Sequence, residues 1–485
     1  MRRLRLIPLG ALGAALACMA LAAPASASHG QVTFFDASNQ LSGQYGAGQR
    51  IRALNEMAAL GVDVVRFEVY WRNIAPGSDS ATPPAGFDPR NPLTYGANGA
   101  DWDPVDEVVK GAAARGMKVA LVLSGAPPTG RVPRWASDDP NGSQSAPSPG
   151  AFSDFAYAVG KRYGGGPGSV GTVAYVSIWN EPNSPTFLRP KTGQGAAQAI
   201  ALYRQLIVAG QQGLVAAGYP GRILAGEVGP IAMDRRRDPL NFTRAVFCLN
   251  GRGKRVGACP PLEISGWAHH PYLFSRAPFQ KPFGGRQVSF ANLGSMQKLV
   301  AQAKRTGAIS RSAQFYVTEF GFPSRPDSPI GVPRQQQAEF ISIAEYMAYN
   351  NPGLASFAQY LLRDDPRGTA AYGFASGLCP ANSPDTHPVG TGFRCKPAYA
   401  AFRTPLVARA RSAKRVTIWG YVRPATGPAT VRIRFRDQGG PAHPLRTVTT
   451  NTAGYFQFGA PNKPGRRWGV AWGKFKGPLI RAYAF

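Results

Sequence analysis

Cysteine, histidine and acidic side chains are all scarce in this chain, and each shortage closes off a class of protein. Five cysteines and five histidines occur in 485 residues. No two cysteines form a CxxC pair and no histidines cluster beside them, which argues against a cysteine-based metal site. No glycine-rich phosphate loop follows the first strand candidate, so a dinucleotide-binding open sheet is disfavoured. Beyond the N-terminus no apolar run is long enough to span a membrane, and no solenoid-type repeat is visible. Aspartate and glutamate number 26 against 55 lysines and arginines, a formal charge of +29. Such a balance attracts anionic polymers such as cell-wall material or acidic polysaccharides, but it selects neither a fold nor a reaction. Nucleic acid is not expected as a partner, because no nucleic-acid-binding motif accompanies the charge.

What is present is ordinary globular material: 44% hydrophobic and 17% charged residues, enough to exclude wholesale disorder. The length suits one large domain and a smaller one. Arg2, Arg3 and Arg5, then the apolar run Ile7 to Leu21, then Ala25-Ser26-Ala27, have the form of a secretion signal. Residues 1–27 are therefore expected to be removed, and the location is expected to be extracellular, with cell-envelope association left open. The leader carries three arginines, so +29 falls to +26. Cys18 departs with it, and the four remaining cysteines favour two local disulfides, Cys248–Cys259 and Cys379–Cys395.

Apolar strand candidates alternate with helical patterns from there on. The strands are Val32 to Phe35, Val62 to Phe67, Lys118 to Leu123, the run from Val173, Ile223 to Ala225, Ile264 to Ala268, Gln314 to Val317 and Ala355 to Leu361. Between them Arg50 to Leu60, Val105 to Ala114, Phe152 to Tyr163, Ala196 to Ala217, Asn292 to Lys304 and Gln335 to Tyr349 have helical spacing, and Pro397 to Phe402 closes the series. Eight strands alternating with helices predict an α/β protein, a (β/α)8 barrel over residues 28–408. From Val416 the pattern changes to short strands punctuated by Pro and Gly, which predicts a small all-β sandwich over residues 412–485.

A barrel keeps its working groups at the C-terminal ends of its strands. The stretch VAYVSIWNEPNSP, Val173 to Pro185, is apolar on both faces until Asn180-Glu181-Pro182. Pro182 stops the strand there and holds Glu181 extended. The second strand ends in Arg66, Glu68, Tyr70 and Trp71, the sixth in His269-His270-Pro271-Tyr272, the seventh in Thr318-Glu319-Phe320-Gly321. Glu181 and Glu319 are thus expected to face each other across one mouth. Glycosidic bond cleavage needs such a pair, one carboxylic acid to protonate the leaving oxygen and one carboxylate to attack or to activate water. Around it, Asn180 suits a sugar 2-hydroxyl, Tyr272 suits orienting Glu319, and Arg66 suits holding Glu319 ionised.

The chain resembles the clan A glycoside hydrolases, and is most similar to families 39 and 5 of that cellulase-type superfamily. The resemblance rests on IWNEPN at Ile178 to Asn183, HHPY at His269 to Tyr272, VTEFGFP at Val317 to Pro323 and VVRFEVYW at Val64 to Trp71. It spans roughly residues 30 to 405. It implies Glu181 as acid/base, Glu319 as nucleophile, retention of configuration, and Arg66, Asn180, His270 and Tyr272 around the reacting sugar. No metal or organic cofactor is needed on that route. Two further readings share the same residues: a silent carbohydrate-binding protein, and a transglycosylase.

Other residues carry competing readings. His269 reads as a core histidine. Glu227, at the end of the fifth strand, has no place in the family scheme and reads as a structural or subsite residue. Trp71 is backed as a sugar platform, whereas Trp135, Trp179 and Trp267 divide between packing and stacking. Asp364-Asp365 suits a subsite or a solvated loop equally. In the C-terminal module, Arg432, Arg434 and Arg436 share one strand face, and Asp437 is the sole acid from Arg411 onward against fourteen Lys or Arg. That surface is the candidate for docking an anionic wall polymer.

Overall fold

The computed structural model describes residues 31–485 apart from 43–44, 128, 140–144, 190–193, 233, 275, 367–373 and 384–387. The expected secretion leader lies outside the described residues. Eight parallel strands are β1 (Val32–Asp36), β2 (Val64–Tyr70), β3 (Lys118–Ser124), β4 (Tyr175–Ile178), β5 (Arg222–Val228), β6 (Gly266–His269), β7 (Gln314–Val317) and β8 (Ser356–Tyr360). They lie in the order β8-β1-β2-β3-β4-β5-β6-β7. Between β7 and β8 the ring is closed by Ala355 N–H donating to Phe315 O at 2.8 Å and by the Ser356 hydroxyl donating to Val317 O at 2.7 Å. One principal helix follows each strand: α1 (Ala47–Ala59), α2 (Asp103–Ala113), α3 (Pro149–Tyr163), α4 (Gln194–Ala216), α5 (Pro239–Val246), α6 (Gly294–Arg305), α7 (Arg334–Tyr349) and α8 (Pro397–Arg403), with single helical turns at Ser38–Leu41 and Trp71–Ile74 besides. The expected (β/α)8 barrel is thus the fold.

Strand periodicity divides the barrel interior into an apolar base and a polar top. Phe34, Tyr175 and Tyr316 meet edge to face with centroids 5.2 to 6.3 Å apart, closing the N-terminal end. Gly266 must be small here, since a Cβ would come within 2.4 Å of the Tyr316 ring. Two residues further along, on the same face, stand Asp36, Ser177 and Thr318, with Arg66 following Val64 on β2. Each is buried. The plug below leaves one way out for these polar groups, upward to the mouth.

The second sheet contains β9 (Leu406–Ala410), β10 (Arg415–Tyr421), β11 (Thr430–Arg436), β12 (Ala442–Thr449), β13 (Tyr455–Pro461), β14 (Arg467–Trp472), β15 (Phe475–Lys476) and β16 (Ile480–Tyr483). Its order is β12-β11-β14-β16-β9-β10-β13, with β15 paired to β14. Strands from both halves supply one buried cluster, including Ile418, Val431, Ile433, Phe456, Trp468 and Val470. The sheet therefore folds over on itself as the sandwich that was expected. The boundary comes earlier than residue 408: β9 pairs with β10 and β16 and belongs to the module, not the barrel. Its apolar LVA start looks the same as a barrel-end segment in sequence.

The module is docked, not tethered. Arg423 is fully buried and paired with Glu345 of α7, and Trp419 lies edge-on to Tyr346 at 5.4 Å. Both expected disulfides are formed, Cys248–Cys259 and Cys379–Cys395. Among the described residues no helix is long and apolar enough to cross a membrane.

Candidate active site

Arg66 sits at the centre of the polar layer, fully buried. One guanidinium nitrogen donates to Glu319 Oε1 at 2.8 Å and also to Asp36; the other donates to Glu227 Oε2 at 2.9 Å and Asn180 Oδ1 at 3.1 Å. Burial opposes its charge, yet Glu227, Glu319 and Asp36 outweigh burial and hold the cation firmly. A fixed fork of donors is what lets a single residue align several carboxylates at once.

Glu319 leaves β7 through Thr318 and is gripped from two sides. Arg66 takes Oε1, and the Tyr272 hydroxyl donates to Oε2 at 3.0 Å. Tyr272 is buried and keeps its proton, because burial and the neighbouring Glu319 charge both push its pKa up. Glu181 enters from the end of β4 with a left-handed backbone, φ +37°, a conformation that costs an L-residue of order 1–3 kcal/mol and persists only when surroundings impose it. The extended backbone expected of a residue before proline is therefore not adopted: the Glu181 N–H donates to Glu227 O at 3.0 Å, a bond that holds the turn against the preference Pro182 imposes. The Glu181 carboxylate lies over Gly229, where a Cβ would stand 2.9 Å from its carboxyl carbon.

His270 bridges the pair. Its Nδ1 is 3.0 Å from Glu181 Oε1 and 3.5 Å from Glu319 Oε2, and its Nε2 is 2.7 Å from Glu227 Oε2. Burial alone would strip its proton, but the Glu319 charge and the bonds to Glu181 and Glu227 prevail and raise its pKa to about 10. Glu227 behaves oppositely. Burial would protonate it, but Arg66, His270 and the Ser177 hydroxyl at 2.6 Å lower it to about 2. Thr318 adds a fourth donor at 2.7 Å. Glu227 is thus a permanent anion that fixes Arg66 and His270, with φ +45° to aim it inward. Glu68 lacks such compensation: burial, less the opposing pull of Arg66, raises it to about 8, and Asn180 Nδ2 donates to it at 3.3 Å. Burial likewise lifts Asp36 to about 6 against the attraction of Arg66.

One carboxylate oxygen of Glu181, one of Glu319 and a nitrogen of His270 lie within 4.8 Å of one another. Among the described residues this is the one His/Cys/Asp/Glu group compact enough to hold a metal ion.

Six of the seven residues singled out from the sequence therefore meet: Glu181, Glu319, Arg66, Asn180, His270 and Tyr272. Trp71 does not. It is fully buried, stacked on Phe155 at 5.1 Å and edge-on to Trp135 and Phe152, so it is a core residue and not a sugar platform. Trp179 and Trp267 are equally buried. Half-buried aromatics near the site include Phe274, Phe374 and Tyr360, whose rings lie 5.4, 6.2 and 6.2 Å from that of Tyr272. His269 is the core histidine expected, bonded to the carbonyls of Val228 and Val288. Asp36, Ser177, Thr318 and the central role of Glu227 escaped the sequence reading. The available signal was a polar residue two places after an apolar one on five separate core strands. Asp364 holds Lys396 at 2.6 Å beneath the loop after β8, and is structural.

Against known proteins, no family model matches this chain and no curated protein matches it. Several solved structures are similar. A GH5_18 structure from Streptomyces cattleya in complex with GlcNAc has a TM-score of 0.50 at 18% identity, over 77% of this chain and 79% of that one. A GH30 endoxylanase from Clostridium papyrosolvens has a TM-score of 0.44 at 10% identity, over 91% and 96%. Bacteroides uniformis beta-glucuronidase 2 has a TM-score of 0.45 at 11% identity, over 94% of this chain and 46% of that one. The GH5_18 likeness is one of fold.

Proposed function

We propose that this chain is a retaining glycosidase that hydrolyses an O-glycosidic bond of a β-linked oligosaccharide or polysaccharide by double displacement. One observation carries the reading: carboxylate oxygens of Glu181 and Glu319 lie within 4.8 Å of each other, above one polar layer. Retaining enzymes hold their two carboxyl groups about 5–5.5 Å apart, whereas inverting enzymes leave about 6.5–9.5 Å for a water.

The roles follow from the partners. Glu319, immobilised by Arg66 and Tyr272, attacks the anomeric carbon as the bond to the leaving oxygen breaks. Glu181 is the more open of the two, its side chain 19% exposed against 9%, and passes its proton to that oxygen. Water then attacks the glycosyl–Glu319 ester; Glu181 takes the water's proton and Glu319 departs as carboxylate. Asn180, its carbonyl oxygen held by Arg66 and its amide nitrogen 3.3 Å from Glu68, stands next to Glu181 as the residue for a sugar 2-hydroxyl. Phe274 and Phe374 offer the apolar wall that Trp71 does not.

Replacing Glu319 with Gln removes the nucleophile while keeping the hydrogen-bond shape. Turnover of a panel of aryl β-glycosides and plant or microbial polysaccharides is expected to vanish, and proton NMR of the first product formed by the unaltered enzyme is expected to show the β-anomer. Undiminished turnover in the variant, or an α-anomer, would refute the proposal.

A further inference from the structure

The C-terminal module carries a second concave site away from the glutamate pair. The turn joining β9 to β10 (Arg411 to Ala413), the turn joining β13 to β14 (Asn462 to Arg466) and the end of β16 converge around a cavity of about 580 Å³. Arg411, Lys463, Arg466, Arg467 and Arg481 line it. The carboxylates in contact with these five cations are Asp437, chelated by Arg466 at 2.6 and 3.0 Å, and Glu339, held by Arg481 at 3.1 Å with Arg467 at 3.9 Å. Arg411 pairs with no carboxylate among the described residues; its Nε donates to Thr417. Lys463 is 69% exposed and 3.9 Å from Asp437. The charge of this concavity is therefore only partly neutralised.

The cavity is distinct from the Arg432, Arg434 and Arg436 face singled out in the sequence, on which Arg432 and Arg436 are exposed. Of Arg432, Arg434 and Arg436 on β11, Arg434 is half-buried and donates to Gly477 O at 2.9 Å, so that strand face is in part internal structure. Residues adjoining the cavity also touch elements on the catalytic face of the barrel. On β16 and the terminal residues, Arg481, Ala482 and Ala484 line it, while the ring of Phe485 stacks at 4.8 Å on Phe279, from the loop that follows β6 on the catalytic face. Gln335, in the first turn of α7, donates to Leu479 O at 2.9 Å, and α7 starts on that same face.

We propose that this pocket binds an anionic group, a carboxylate or a phosphate, carried on a glycan chain that also reaches the barrel mouth. Planar guanidinium forks suit either oxyanion. The glycan part of the inference rests on the glycosidase reading, and the anion part does not. The test uses the full chain with Glu319→Gln, so that binding is measured without turnover, and compares it with the same protein carrying R411A and K463A. Isothermal titration with pentagalacturonate, a glycerol-phosphate oligomer and neutral xylopentaose distinguishes the sources. Expected are binding of at least one anionic ligand, about tenfold weakening for each cation removed, further weakening as salt rises, and xylopentaose affinity indifferent to the two substitutions. In the catalytically intact chain, R411A and K463A should leave aryl glycoside turnover unchanged. If neither anionic ligand binds, or if whichever binds does so equally well to the substituted protein, the pocket assignment fails, whereas undiminished aryl turnover in Glu319→Gln would overturn the glycosidase reading alone.

Discussion

Gly229→Ala isolates the position of Glu181 from the stability of the fold. An added Cβ would meet the Glu181 carboxyl carbon and Oε2 at 2.9 Å, where ordinary contact begins at 3.4 Å. The backbone cannot yield, because Gly229 N–H donates to Asn183 Oδ1 at 2.7 Å and its carbonyl accepts from Asn183 Nδ2 at 3.2 Å. The carboxylate, at the end of a flexible side chain, must move by about half an ångström. A 1 Å misplacement at a reacting centre costs about a hundredfold, so about tenfold is expected here. Residue 229 lies outside the left-handed region, and stability should change by no more than about 1 kcal/mol. The assay compares aryl glycosides with different leaving groups. Dinitrophenolate departs without a proton and phenolate does not, so the glycosylation step should slow for the phenyl glycoside and hold for the dinitrophenyl one. Equal losses on both substrates, or a drop in unfolding free energy that accounts for the lost activity, would refute the assignment of Glu181 as proton donor.

Other expectations concern charge and cross-links. His270, raised from 6.5 to about 10, contributes stability that is complete below pH 6.5 and is lost as pH rises through 10; its ring nitrogens should therefore show the charged pattern in nitrogen-15 NMR at pH 8, and a neutral-ring pattern there would contradict the bridge. Glu227, lowered from 4.5 to about 2, contributes above pH 4.5 and fails as pH falls through 2; Glu227→Gln should cost about 3–5 kcal/mol in urea unfolding, because Arg66 is left undercompensated. Arg423→Met should destabilise by a similar amount, and adding Glu345→Leu should recover most of it; additive losses would show that the two do not act as a pair. Removing the Cys379–Cys395 bridge, which closes a separation of 16 residues, should lower unfolding free energy by about 3 kcal/mol.

Much of this arrangement was legible because strand ends punctuate themselves. Two-sided apolar runs stopping at Asn180-Glu181-Pro182 and Thr318-Glu319 announced both carboxylates, and barrel topology then required them to converge. What stayed hidden depends on three-dimensional neighbours. Glu227 and Asp36 read as single acids at strand ends, and nothing local distinguishes a loop carboxylate from one clamped on a buried guanidinium. Trp71 follows directly on the strand bearing Arg66, but a short helical turn, Trp71–Ile74, rotates its ring onto Phe155 and away from the mouth. Helix α5 was missed because it is only eight residues long and starts at Asp238-Pro239, inside a segment dominated by arginine and by the Cys248–Cys259 loop.

Chemical rescue tests the central pairing most directly. With Glu319→Ala, azide added to an activated aryl β-glycoside should enter the vacated face and yield the α-glycosyl azide. With Glu181→Ala, azide should intercept the glycosyl–Glu319 ester and yield the β-glycosyl azide. The same anomer from both variants, or full turnover by either without azide, would contradict the assignment of Glu319 as nucleophile and Glu181 as acid/base.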